Sequence, residues 1–205
     1  GRPANHPLIV HIGDISRLSD WARDIPPQAL LLAKAFWPGP LTLLLHKADA
    51  VSPVVTGGKN SIGIRMPAHP VLLSLLQQTG LAVAAPSANP YKKLSPTSAA
   101  QVMAGLNGRI AAVLDGGDCS VGLESTILDL SREGVPTILR PGAIGPDDIA
   151  RVIGIRPRLR GETPAPAEAE APPADAPRVS GALAAHYAPR TPLLLAPLPE
   201  LLALA

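Results

Sequence analysis

Short apolar runs, each closed by a proline, a glycine or a charge, recur along the first three quarters of the chain. Residues 8–12 (LIVHI), 41–45 (LTLLL), 61–65 (SIGIR), 81–85 (LAVAA), 111–114 (AAVL), 125–130 (STILDL) and 136–139 (PTIL) read as strands. Helical stretches fall between them. Pro26-Pro27 opens a helix over 28–36, which Trp37-Pro38-Gly39-Pro40 ends. Pro70 suits the first turn of a helix over 71–79, and Gly80 is its stop. Thr97 or Ser98 caps a helix to about residue 106, with the turn Asn107-Gly108 behind it, and Pro146 opens another to about residue 153. Residues 52–58 read as loop. Strands alternating with helices of this length predict an α/β sheet with helices packed on it. The last two strands follow each other without a helix, so the sheet is expected to be mixed.

The pattern stops near residue 155. Residues 156–177 (RPRLRGETPAPAEAEAPPADAP) are Pro, Ala and charge with no apolar period, a composition that cannot bury a core and reads as an extended linker. The expected organisation is a domain over 1–154, a Pro/Ala-rich linker over 155–179, and over 180–205 the start of a small C-terminal α/β domain. The chain lacks an initial Met and closes on PLPELLALA, which reads as the opening of a helix; it has the look of a piece cut from a longer protein. Hydrophobic residues make up 46% of it but aromatics only 2%, so the core must be Leu, Ile, Val and Ala. A net charge of +2 gives no whole-chain footprint for nucleic acid. The single cysteine, Cys119, excludes a disulfide scaffold or multi-cysteine zinc site and suits a reducing compartment. No apolar run reaches the ~18 residues of a membrane span and no leader is evident, so the expected address is the cytoplasm.

The chemistry concentrates after residues 81–85. Ser87, Asn89, Ser95 and Thr97 follow that run around a Lys92-Lys93 pair, as in loops that build sites at the carboxyl ends of strands. The plainer alternative is a surface loop leading to a helix cap. Arg65 and Arg140 each close a strand, where a guanidinium can hold a carboxylate by two bonds or can pair with a surface acid. With Arg2 and Lys92 or Lys93 they predict several cations on one rim. His11 stands inside an apolar run, where histidines are more often hydrogen-bonded core residues than ligands. Ser125 has neither a Gly-x-Ser-x-Gly setting nor a nearby His, so ligand hydrogen bonding suits it better than nucleophilic attack. Asp115 before Gly116-Gly117 is turn chemistry. A P-loop, a dinucleotide fingerprint and a metal-ligand spacing are all absent. Spacing therefore leads to an anion-binding α/β domain.

Nine short motifs, in order, carry a resemblance: Arg2-Pro3 with 6–11 (HPLIVH), 37–42 (WPGPLT), 63–67 (GIRMP), 85–89 (APSAN), 95–97 (SPT), 114–117 (LDGG), 122–126 (GLEST) and 139–142 (LRPG), with His186-Tyr187-Ala188-Pro189 after the linker. The chain resembles the two-domain form of the YrdC-type threonylcarbamoyl-AMP synthases. The resemblance implies a YrdC-like twisted mixed sheet. It also implies that L-threonine, bicarbonate and ATP, the last with Mg²⁺, are joined into threonylcarbamoyl-adenylate with release of pyrophosphate, for modification of tRNA by downstream proteins. Carried over position by position, Arg2, His6, Ser61, Ser87, Asn89, Ser95 and Arg140 would face ATP, with Tyr187 as part of a lid. His11, Arg65, Ala85 and Ser125 would surround the threonine. No side chain is expected to act as general base or nucleophile, and no metal is expected to be held by protein ligands.

The sequence also departs from the family pattern. His6 stands where Asn is usual, Pro90-Tyr91-Lys92-Lys93 where many members have Ser-Gly, and the family's Lys two residues before Arg2 would fall ahead of Gly1. The segment that carries a threonine- and tyrosine-bearing motif would also precede Gly1, so weak or absent synthase activity is expected of these 205 residues alone. Two other readings stand beside the synthase. One is the related carbamoyl-adenylate chemistry of hydrogenase maturation, which should bring zinc-finger and acylphosphatase segments. The other is a double-stranded-RNA-binding module on the same fold.

Overall fold

The computed structural model describes Pro3 and residues 5–162. One mixed sheet organises them, built from β1 (Ile9–His11), β2 (Ala22–Arg23), β3 (Leu41–Lys47), β4 (Ser61–Arg65), β5 (Val83–Ala85), β6 (Thr126–Asp129), β7 (Thr137–Arg140) and β8 (Arg158–Leu159). The strand order is β5-β1-β4-β3-β6-β7-β8, with β2 paired to β3. β1 and β4 run parallel, β3 runs against β4 and with β6, and β7 runs against β6.

Register gives the two faces opposite characters, because paired residues point the same way and neighbours along a strand point opposite ways. On one face Val10, Ile62, Ile64, Leu41, Leu43, Leu45, Leu128 and Ile138 form a single buried core. α1 (Leu18–Trp21), α2 (Pro27–Phe36) and α6 (Pro146–Ile153) cover it through Leu18, Ala29, Leu32, Ala33 and Ile149. On the other face lie His11, Ser61, Gly63, Arg65, Thr42, His46 and Asp129. Leu44 and Ile127 are buried on this second face as well, but the main core lies on the first, and the second carries the polar and charged groups.

Three helices form where proline and glycine place them. α2 and α6 start with Pro at the first turn, as does α4 (Pro70–Thr79), and α4 and α6 end on Gly80 and Gly154, both left-handed. α5 (Ala99–Leu106) is capped by Ser98, whose side chain accepts from Gln101 N.

Several expectations need correction. Residues 52–58 are not simply loop: Ser52 caps a one-turn helix, α3 (Pro53–Thr56), by accepting from Val54 N. Residues 111–114 form no strand; no ladder partner lies beside them among the described residues, and Leu114 stays 75% exposed. The run 81–85 is a strand over only part of its length. Only Val83–Ala85 pair, as an antiparallel edge strand on β1, with Leu81 61% exposed. The 3-10 turn Ile15–Arg17, α1 and β2 had no apolar period long enough to announce them. β8 falls at the start of the stretch read as linker, where it pairs parallel with β7 and sets Leu159 against the core. The linker beyond residue 162 and the segment 180–205 lie outside the described residues, as do Arg2, His186 and Tyr187.

Candidate active site

The polar face brings His11, Arg65 and Arg140 to one end of the sheet. His11 and Arg65 end the parallel strands β1 and β4 and are direct register partners. Thr42 lies at the start of β3, two residues from Leu44, the partner of Gly63. Ser125 immediately precedes β6, and Arg140 ends β7. Because β3 and β6 run against β4 and β7, all these positions converge on one rim.

A β-bulge aims Arg140. The β6–β7 register shifts between Ile127, opposite Arg140, and Leu128, opposite Ile138. Without that shift Arg140 would share the face of Ile138 and enter the apolar core; with it, the guanidinium turns to the polar side. There Nε donates to the Ser125 carbonyl at 2.9 Å and Nη2 to Ser125 Oγ at 2.9 Å. Ser125 Oγ and Thr42 Oγ1 share a further hydrogen bond at 2.8 Å. Ser125 is 2% exposed and Thr42 0%, so this node lies beneath the open surface.

Arg65 donates from Nε to the Gly39 carbonyl at 2.8 Å, which anchors the base of its guanidinium. Burial lowers its proton affinity; the Glu124 carboxylate opposes that shift and the Arg140 charge adds to it. His11 donates from Nδ1 to the Val83 carbonyl at 3.3 Å. Its pKa is held below the ordinary value, first by burial and then by the Arg65 charge, so the imidazole is neutral around pH 7 and Arg65 is the cation of the pair. Gly63, between Ser61 and Arg65 on β4, has Thr42 Cγ2 and Ile9 Cγ1 within 3.3 and 3.6 Å of where a Cβ would stand. A side chain there would fill the floor of the face.

The loop after β5 arrives from the opposite end. β5 is antiparallel to β1, so Ala85 pairs with Ile9 rather than with His11. The loop then returns toward the rim, where Ser95 Oγ donates to Glu124 Oε1 at 2.6 Å. It spans the polar side instead of crowning the strand ends. Asn89 braces it: Nδ2 donates to the carbonyls of Pro90 and Lys93, both at 2.9 Å, which commits both amide hydrogens to the loop itself. Lys92 takes a left-handed conformation (φ 67°), with its ammonium 5.8 Å from the Tyr91 ring centre, and His6 meets Tyr91 edge-on at 5.8 Å. A cavity of about 550 Å³ lies behind the loop, walled by Ser87, Asn89, Tyr91, Val102, Leu106 and Val113. Asp115 is the turn residue it was read as, its Oδ1 accepting from Gly117 N at 2.9 Å.

The structure thus brings His11, Arg65, Ser125 and Arg140 together at the rim and runs the Asn89–Ser95 loop up to them. Ala85 and Ser61 sit at the other end of the sheet, Ser61 about 13 Å along β4 from Arg65. Glu124 was not singled out by sequence reasoning. It lies 29 residues from Ser95, and only the fold joins them. Its Oε2 stands 3.7 Å from Arg140 Nη2. A hint was available: a rim of two or three arginines needs a nearby counter-charge, and Glu124 precedes Ser125 directly.

A one-sided mixed α/β sheet with a cationic rim and a hydroxyl- and amide-bearing loop laid toward it defines an anion-binding α/β domain. The family model described as "Telomere recombination", for the Sua5/YciO/YrdC domain, matches residues 1–142, and the chain belongs to that family. A threonylcarbamoyl-AMP synthase of Pyrococcus abyssi is 41% identical over 198 residues, covering 95% of this chain and 55% of that protein. One of Bacillus subtilis is 51% identical over 155 residues, covering 75% and 44%. The crystal structure of P. abyssi Sua5 complexed with L-threonine matches with a TM-score of 0.74 at 44% identity, over 82% of this chain and 50% of that one. E. coli YciO, with a TM-score of 0.60 at 23% identity, shares the fold. The chain spans about half the length of the curated relatives it matches.

Proposed function

We propose that this chain carries the site that joins L-threonine, bicarbonate and ATP into threonylcarbamoyl-adenylate and releases pyrophosphate, for the threonylcarbamoyl modification of tRNA in the cytoplasm. The observation that carries this reading is the convergence of Arg65, neutral His11 and Arg140 on one rim, in a chain similar to a protein crystallised with L-threonine. Arg65 takes the threonine carboxylate, its guanidinium held by the Gly39 carbonyl so that the outer nitrogens are presented together. His11 and Ser125 complete the amino-acid side. Arg140, Ser87, Ser95 and Ser61 serve the nucleotide with His6, while Asn89 shapes the loop that carries two of them. The substrate is MgATP, the metal arriving on the phosphates.

The chemistry needs no side-chain nucleophile. Bicarbonate and the threonine amine combine, with loss of water, into an N-carboxylate. One of its oxygens attacks the α-phosphorus as the bond to the β-phosphate oxygen breaks, and pyrophosphate leaves with that electron pair. The protein's part is to hold carboxylate and triphosphate in line and to place positive charge where negative charge builds up.

Arg65→Ala tests the assignment by calorimetric titration with L-threonine and with ATP. The charge-assisted pair lost is worth about 1.5–3 kcal/mol, so threonine should bind roughly 10- to 100-fold more weakly, with ATP nearly unchanged. Equal loss of both ligands refutes the pocket.

A further inference from the structure

Glu124 lies at the centre of the site, and the function just proposed does not use it. Its Oε1 accepts the Ser95 hydroxyl at 2.6 Å, its Oε2 lies 3.7 Å from Arg140 Nη2, and its charge acts on Arg65 as well. Its side chain is 28% exposed, against 6% for that of Arg140, so the carboxylate reaches solvent where the guanidinium does not. A serine hydroxyl has one proton. While Ser95 gives it to Glu124, Ser95 cannot donate to a phosphate oxygen. Two guanidiniums on one rim also repel each other, and a carboxylate between them relieves that until a ligand supplies negative charge of its own.

We propose that Glu124 is a resident counter-anion: it occupies Arg140 and the Ser95 hydroxyl in the unliganded site and yields both to the polyphosphate of the substrate. The inference rests on the proposed function and adds a positioning residue to it. Glu124 holds the loop against the rim when the site is empty. It opposes the phosphates when the site is full, and so favours release of pyrophosphate. The exchange is one of hydrogen bonds and ion pairs, with no covalent step.

The test is calorimetric titration of the full 205-residue chain with ATP and with inorganic pyrophosphate, for wild type and Glu124→Gln, at low and high salt. The amide keeps an acceptor for Ser95 and removes only the charge. Both ligands should bind roughly tenfold more tightly at low salt, and the gain should shrink as salt rises. A merely structural role would instead weaken binding and lower the unfolding temperature. If wild type binds both ligands and the variant binds them equally or more weakly, the counter-anion is refuted and the synthase reading stands. If wild type binds neither, both fall. A structure of wild type with pyrophosphate gives a check without the variant: Ser95 should have left Glu124, and a retained 2.6 Å bond overturns the proposal.

Discussion

The Thr42–Ser125–Arg140 node supports the site from below, and its energetics can be isolated by a double-mutant cycle. Ser125→Ala deletes the acceptor of Arg140 Nη2 and the partner of Thr42 Oγ1. The first bond involves a charged donor and is worth about 1.5–3 kcal/mol, the second about 1 kcal/mol. Arg140 keeps its Nε bond to the Ser125 carbonyl and its approach to Glu124, so it is weakened but not stranded. Thr42 has no exposure to water that could replace the lost hydroxyl. The single variant should therefore cost about 2–4 kcal/mol, a large share of the ~5–15 kcal/mol that holds a domain of this size. Thr42→Val keeps the Cγ2 methyl that packs over Gly63 and removes only the hydroxyl; it should cost about 0.5–1.5 kcal/mol. In the double variant both hydroxyls are gone and neither is left without the other, while the Arg140 Nη2 bond is lost as in Ser125→Ala, so the sum of the singles should exceed the double by about 1 kcal/mol. Urea unfolding of the four proteins measures this, with the slope m as a check that the unfolded states are comparable. Additivity within about 0.5 kcal/mol would refute the shared hydrogen bond.

Acid should destabilise the fold through His11. Its folded pKa lies below the ordinary 6.5, so as pH falls through 6.5 the unfolded chain takes up a proton that the folded one refuses; stability is full above that value and declines below it. The wild-type minus His11→Gln stability difference, followed between about pH 8 and pH 4.5, should fall on acidification, and a flat difference refutes the assignment. Gly142→Ala should cost about 1–3 kcal/mol in the same unfolding assay, since the new Cβ would stand 2.5 Å from both Glu124 O and Thr126 N, backbone atoms that cannot swing away. Gly122→Ala, with nothing within 4 Å, is the control and should stay within about 0.5 kcal/mol.

Where proline and glycine punctuate the chain, sequence and structure agree closely: the α4 and α6 bounds, the α2 stop and the β4 ends all follow from local chemistry. What failed was non-local. Whether 81–85 is central or edge depends on which strand it pairs with, and Leu81 and Leu114 look alike in sequence whether or not a neighbour covers them. Two-residue strands such as β2 and β8 exist only because a longer strand offers them a ladder. At the site, Arg65 was legible as a strand-end residue, whereas His11 read as a histidine inside an apolar run, and only their family motifs marked the two for one pocket. The bulge that turns Arg140 and the role of Glu124 were not legible, since each depends on contacts between residues 10 or more apart in the chain.

The division of labour between the two faces explains how the rim can be built at all. Partly buried arginines are costly to desolvate, and a guanidinium does not escape by losing its proton. The sheet compensates with fixed acceptors, the Gly39 and Ser125 carbonyls and Ser125 Oγ, each set by backbone that also carries the core. Leu41 and Leu43, one on either side of Thr42 along β3, are fully buried on the helix-covered face, so the strand that supports the node is held by packing the site does not touch. The arginines are thereby fixed before any ligand arrives, and a carboxylate or phosphate entering this drier setting meets charge that needs little reorganisation. Glu124 makes such a rim tolerable when empty. Without a counter-anion, two guanidiniums on one rim would repel each other with nothing to offset it.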